Sequence, residues 1–573
     1  MHLRALCLCT LLPILACSAS NDEPITGTGF AGGGGHAGDA AAGAGGQGGR
    51  SDAGPGAGAG GVSGGANDAS SDGTHDAGGA RGGTSGAGGA GGQTPSDAAT
   101  DGRGGAGGQG GSGAAGAAGT GGASGAGGSS GGADGGAGKA GSAGSGGAAG
   151  GGAGSGGAGG SGGSAGSGGD GGGGGNKHVI GYFAAWGTYA RAYFVKNIDA
   201  SGSAARMTHI NYAFANISSD LKCAIGDTYA DYDMAYDAGR SVDGVADTWD
   251  AGALRGSFNQ LKKLKVKYPG LKILISLGGW TWSDKFSDAA LTADSRRTFV
   301  KSCVDMFIKG AFTASLAHPG IFDGIDVDWE YPAVMGNSSN YRPEDTVNFT
   351  SLLAEFRREL DVQGAADGKR YLLTIAAPAG KDKYSKIEID KIHTSLDFIN
   401  IMTYDMHGAW ETVTNFHAPL AASVADPTRA LEYDTDHAVL GWLGGGTPPS
   451  KLVVGVPFYG RGWKGVPAGP AGDGLYQTAT GGGAQGTYEA GIEDYKVLKL
   501  LGANFKPFRH AETRAFWVFS PTDGIFWSYD DPTAIGEKTA YIRSKGLGGA
   551  MFWELSGDDA GGTLINALSN GLK

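Results

Sequence analysis

From residue 176 onward, short apolar runs recur along the chain, separated by polar or amphipathic stretches. The runs are 178–184, 209–215, 272–277, 324–329, 372–377, 398–403, 452–457 and 548–553, eight in all. Each is too short for a helix, so each reads as a strand buried on both faces. Between several of them, residues 257–268, 295–308 and 346–360 show apolar positions three and four apart, the period of a helix with one buried face. Strands alternating with helices predict a parallel sheet, and eight such units predict a (β/α)8 barrel, normally about 250 residues long. The surplus falls between the seventh and eighth strands, where residues 459–529 mix Gly-rich turns with short runs. A small α+β insertion at about 462–525 is expected there.

The fourth run departs from the rule, because Asp326, Asp328 and Glu330 alternate with Val327 and Trp329. On a strand these three acids share one face, about 6.6 Å apart per step. Like charges this close raise one another's pKa, so one member tends to keep a proton near neutrality, as a general acid requires. Taken alone, the pattern also fits an exposed acidic edge or a cation site.

Composition divides the chain. Of its 116 Gly, most precede residue 176. Residues 1–16 read as an export signal: Arg4 precedes an apolar stretch too short to span a bilayer. Ile14-Leu15-Ala16-Cys17-Ser18 resembles a bacterial lipobox, which predicts lipidation of Cys17 and an outer-membrane or cell-surface anchor. Ordinary secretion with cleavage near Ala16 or Ala19 is the alternative. Residues 17–175 are rich in Gly, Ala and Ser with almost no large apolar side chain, so a disordered linker is expected. As a flexible coil it spans about 65–70 Å. Residues 176–573 form the expected catalytic domain. A net charge of -12 without a Lys/Arg cluster argues against nucleic acid, and membrane contact is expected only through the lipid. Of five Cys, only Cys223 and Cys303 lie in the body. They could pair in an oxidising compartment, although buried free Cys is the commoner state. No Cys/His spacing suits a metal.

In a barrel of this kind the active site lies at the C-terminal strand ends. Ser276 and Trp280 fall there, as do Asp328, Glu330, Met402, Tyr404, Asp405, Tyr459, Arg461 and Trp553. A rim of Trp and Tyr with a few carboxylates suits a sugar chain, since pyranose faces stack on aromatic rings.

These motifs carry a resemblance. Asp323-x-x-Asp326-x-Asp328-x-Glu330, Ser276-x-Gly278-Gly279-Trp280, Met402-x-Tyr404-Asp405, Gly455-Val-Pro-Phe-Tyr459-Gly-Arg461 and Gly548-Gly-Ala-Met-Phe-Trp553-Glu554 resemble, in order, the motifs of the family-18 chitinases. The resemblance covers nearly all of 177–573 and leaves the linker out. It implies retaining hydrolysis of β-1,4 N-acetylglucosamine linkages in which the substrate's own acetamido group is the nucleophile. It implies Glu330 as acid and then base, and Asp328 as the group that orients the acetamido N–H and shares a proton with Asp326. Tyr182 and Ser276 are implied to hydrogen-bond Asp326, and Tyr404 to hydrogen-bond the acetamido oxygen. Trp553 is implied as the floor of the site, Trp280 as a platform on the leaving-group side, and Met402, Tyr459, Asp405 and Arg461 as further substrate contacts. Asp323 faces the other way and is expected to be structural. Chitin or N-acetylglucosamine oligomers are the expected partners, with no cofactor, no metal and a monomeric chain. Two alternatives stand beside this. One is an endo-N-acetylglucosaminidase acting on glycoprotein or peptidoglycan glycans. The other is a non-catalytic chitin-binding lectin, which typically lacks the acid at Glu330.

Overall fold

The computed structural model describes residues 177–573; the export signal, Cys17 and the linker lie outside the described residues. Seven parallel strands come first: β1 (His178–Ala184), β2 (His209–Ile217), β3 (Lys272–Gly278), β4 (Gly324–Asp328), β5 (Leu372–Pro378), β6 (Phe398–Met402) and β7 (Leu452–Pro457). An insertion then contributes β8 (Tyr459–Lys464), β9 (Ile492–Asp494), β10 (Lys506–Arg509), β11 (Phe516–Ser520) and β12 (Ile525–Tyr529), and the chain returns as β13 (Gly549–Trp553). β1 to β7 and β13 pair side by side in parallel, and β1 pairs with both β2 and β13, so the sheet closes into an eight-stranded barrel. The eight expected strands are all present, with ends shifted by a residue or two.

Alternation decides which side chains reach the interior. On β4, Ile325 and Val327 pack outward with Phe356, Leu360 and the other apolar faces of the surrounding helices. Asp326 and Asp328 therefore point into the barrel, both buried. Three helices follow the expected positions, α1 (Gly256–Lys267), α2 (Ala293–Cys303) and α3 (Asp345–Asp367), and a further helix, α4 (Pro532–Ser544), precedes β13. Thr292 and Ser295 close a reciprocal capping box at the start of α2, at 3.0 Å in each direction. Asp531 caps α4, just before Pro532. α3 runs two turns past its expected end at 360. Its last turns carry Arg357–Asp361 and Gln363–Asp367 pairs four residues apart, and Gly368 stops it in a left-handed conformation. Those turns have no apolar stripe, which is why hydrophobic periodicity missed them.

The insertion is a five-stranded antiparallel sheet, β9-β8-β12-β11-β10, with a short helix Tyr495–Leu498. It has its own core of Trp463, Trp517, Phe519 and Phe526, joined by Phe416. β8 begins within two residues of the end of β7, so the sheet rises directly from the C-terminal rim.

Cys223 and Cys303 form a disulfide, which corrects the leaning toward free thiols. β2 runs past the barrel and turns back as the two-residue strand Cys223–Ala224. That turn brings Cys223 to the end of α2. No sequence pattern within either segment encodes this proximity. Among the described residues, no helix is long and apolar enough to cross a membrane.

Candidate active site

Register sets the acidic cluster. Asp326 stands between Ser276 on β3 and Thr374 on β5, and Tyr182 stands beside Asn211 across β1 and β2. All four reach the same carboxylate. Tyr182 Oη donates to Asp326 Oδ2 at 2.6 Å, Asn211 Nδ2 at 2.8 Å and Ser276 Oγ at 2.9 Å. Thr374 Oγ1 donates to Oδ1. Two of these donors, Tyr182 and Ser276, were expected. Asn211 and Thr374 were not, although each is a polar residue inside an apolar run, and that was the available signal.

Asp328 lies next along the same face. Tyr182 also donates to it, at 3.1 Å. Its pKa is pushed well above the usual carboxylate range, first by burial, then by the charge of Asp326, a hydrogen bond between the two carboxyls, and Glu330. Burial and the neighbouring acids thus favour the protonated form of Asp328. The Tyr182 phenol is pushed up by burial and by the same acids, so it remains a donor. Glu330 follows the strand end and is 1% exposed. Its N–H donates to Ser283 Oγ at 2.9 Å, and Ser283 Oγ also reaches the Asp328 carbonyl at 3.2 Å. Ser283 thus fixes the backbone on which the last two acids are carried.

The glycines before Trp280 have a physical reason. Gly278 and Gly279 take φ of 97° and 72°, a region that penalises other residues. A Cβ on Gly278 would stand 2.8 Å from the Asp328 carbonyl, and one on Gly279 2.6 Å from the Phe214 ring. Tight passage past β4 and β2 is what places Trp280 at the rim.

Tyr182, Trp280, Met402, Tyr404, Tyr459 and Trp553 belong to one buried cluster at this end of the barrel, with Phe214 and Tyr331. Trp553 stacks on Phe214 with centroids 5.8 Å apart and lies 5.3 Å from Tyr182. Tyr404 Oη approaches Met551 Sδ at 3.6 Å, and its ring lies 6.3 Å from Tyr459. Trp280 Nε1 is buried with no hydrogen-bond partner among the described residues. Beyond Tyr404, the Asp405 carboxylate receives Arg461 Nε at 2.7 Å, and Tyr459 hydrogen-bonds it as well. Burial raises the Asp405 pKa against these two partners. Arg461 also lies over Trp410, 4.9 Å from the ring centroid. All the expected rim residues thus meet at one face, as an acidic group around Asp326 and a charged pair around Asp405 joined by Tyr404. Asp323 faces outward, where it accepts Ile273 N–H at 3.0 Å and pairs with Lys265 at 2.8 Å.

This face offers a carboxyl whose protonated form is favoured, a second acid two residues along, and aromatic walls, a set suited to cleaving a glycosidic bond by proton transfer. Comparison with known proteins agrees. The profile of the family described as "Glycosyl hydrolases family 18" matches residues 178–558. Chitinase A1 of Niallia circulans is 42% identical over 413 residues, covering 66% of this chain and 56% of that protein. Chitinase C of Streptomyces lividans is 45% identical over 388 residues, covering 67% of this chain and 58% of its own length. The chain thus spans little more than half of these relatives. Among solved structures, the catalytic domain of the psychrophilic chitinase B from Arthrobacter TAD20 superposes with a TM-score of 0.65 at 42% identity, covering 69% of this chain and 95% of that one.

Proposed function

As the chain belongs to glycosyl hydrolase family 18, we propose that it is a chitinase that cleaves β-1,4 N-acetylglucosamine linkages with retention and with help from the substrate. Glu330 gives its proton to the glycosidic oxygen as that bond breaks. The acetamido oxygen of the same sugar bonds to the anomeric carbon and forms an oxazolinium ion. Glu330, now a base, takes a proton from water, and the water oxygen opens the ring on the face that the leaving group left. Asp328 orients the acetamido N–H and, with Asp326, takes up the developing charge. Tyr404 hydrogen-bonds the acetamido oxygen. Trp553 lies under the sugar before the cleaved bond and Trp280 stacks on the leaving-group side. Met402, Tyr459, Asp405 and Arg461 line the remaining contacts.

One observation carries this reading. Asp326 is saturated by four donors, and beside it burial and Asp326 itself favour the protonated form of Asp328. A mechanism with a carboxylate nucleophile needs an ionised acid at that place. A proton shared between two acids suits positioning of an amide instead. The retained Glu330 is what disfavours a lectin.

Glu330→Gln is expected to lower turnover of N-acetylglucosamine oligomers about a thousandfold or more while leaving oligomer binding intact. A wild-type chain inert on such oligomers, but active on a glycoprotein or peptidoglycan, would move the assignment to an endo-N-acetylglucosaminidase.

A further inference from the structure

One buried histidine beside the site has no task in this mechanism. His417 lies in the loop after β6, and its ring is fully buried. Its Nδ1 accepts the backbone N–H of Asp405 at 3.1 Å, and its carbonyl accepts the N–H of Met406 at 3.0 Å. Asp405 has a φ of 54°, in the left-handed region, which costs a residue with a side chain about 1 kcal/mol. Something must hold it there, and the ring contact falls on that residue. On its other side, the His417 N–H donates to Ser528 Oγ on β12 at 3.1 Å. Ser528 stands directly opposite Arg461 in the β8–β12 ladder, and Arg461 Nε closes the circuit on Asp405 Oδ1 at 2.7 Å. Three residues thus hold Asp405, with His417 at its backbone N–H, Arg461 at its carboxylate and Ser528 behind His417.

The tautomer follows from the same contacts. Because Nδ1 accepts, the ring proton sits on Nε2, which is buried with no partner among the described residues. Burial, Arg461, Lys538 and His407 all press the ring toward its neutral form. Lys538 is itself paired with Asp530, and Asp405 Oδ1 lies 3.3 Å from Nδ1. The Nε2–H tautomer is required for the bond to the Asp405 N–H, since a proton on Nδ1 would break it.

We propose that His417 is a positioning residue whose Nδ1, as an acceptor, fixes the backbone of Asp405 so that the Asp405–Arg461 pair meets the sugar chain. The inference rests on the assignment of Asp405 and Arg461 as substrate contacts. The competing role is packing alone, because the His417 ring lies 4.7 Å from that of Tyr459.

Three substitutions in the full chain separate the two. His417→Asn places an amide oxygen near the Nδ1 position, His417→Gln reaches toward Nε2, and His417→Phe keeps the ring without an acceptor. On the N-acetylglucosamine hexamer, His417→Asn is expected to stay within about threefold of wild-type kcat/KM, with His417→Gln and His417→Phe down about tenfold or more, mainly in KM. Equal losses in all three, or a His417→Phe chain as active as wild type, would overturn the proposal. A crystal structure of His417→Phe gives a reading independent of turnover. Asp405 is expected to leave the left-handed region or release Arg461, and an unchanged Asp405 contradicts the inference. A wild-type chain inert on the hexamer would instead sink the chitinase reading and leave this structural arm standing.

Discussion

Asp326 and Asp328 sit two residues apart on one strand face and behave oppositely. Asp326 accepts donors from Tyr182, Asn211, Ser276 and Thr374, so Asp326→Ala strands four buried groups and is expected to cost about 3–5 kcal/mol. A chemical-denaturation midpoint close to wild type would contradict that. Asp328 has a folded-state pKa well above its ordinary 3.8. Below about pH 4 both folded and unfolded chains hold its proton, and no penalty arises. As pH climbs toward the folded value, only the unfolded chain releases it, and stability falls by up to about 1.4 kcal/mol per pH unit. Asp328→Asn is neutral throughout and removes that loss. It is expected to melt above wild type at pH 8, with a gap that closes near pH 4, while turnover drops sharply. Calorimetry at the two pH values checks this, and a gap of the same size at both would refute the linkage. The alternation of Asp326, Asp328 and Glu330 was legible in the sequence because a strand has a period of two. The partners of Asp326 on β2 and β5 were not, because they depend on strand register across the barrel.

At the scale of elements, Gly455 on β7 shows how packing places a site residue. A Cβ there would stand 2.4 Å from the Ile401 carbonyl and 2.8 Å from the Tyr404 ring. Gly455→Ala is expected to push Tyr404 aside and cut kcat about tenfold, and an unaltered kcat would show that Tyr404 has slack. The Cys223–Cys303 bond closes a span of 80 residues and ties the turn after β2 to α2. Loop-closure entropy for that span is about 4.5 kcal/mol. Cys303→Ser, or reduction, is therefore expected to lower the melting temperature by roughly 5–10 °C, and calorimetry with and without reductant reads it out. The barrel strands were legible because parallel strands buried on both faces appear as continuous apolar runs. The disulfide, the end of α3 and the place of His417 were not. Each depends on segments meeting in space or on ion pairs that leave no hydrophobic period.

For the whole molecule, the barrel and its insertion, residues 177–573, follow from the hydrophobic pattern, and the remainder is a proposal about delivery. We propose that residues 1–16 direct export and that Cys17 carries a lipid, so that residues 17–175 hold the barrel away from a surface. Mass spectrometry of the mature protein is expected to find a lipidated Cys17 at the N-terminus, and an unmodified start downstream of it would show secretion without an anchor. The central claim is hydrolysis assisted by the substrate's own acetamido group, with Glu330 as the acid and base. Its most direct test is a time-resolved proton NMR record of the N-acetylglucosamine hexamer with the full chain. New reducing ends are expected to appear first as the β-anomer and only later to equilibrate. New ends that appear first as the α-anomer, or none at all, would contradict it.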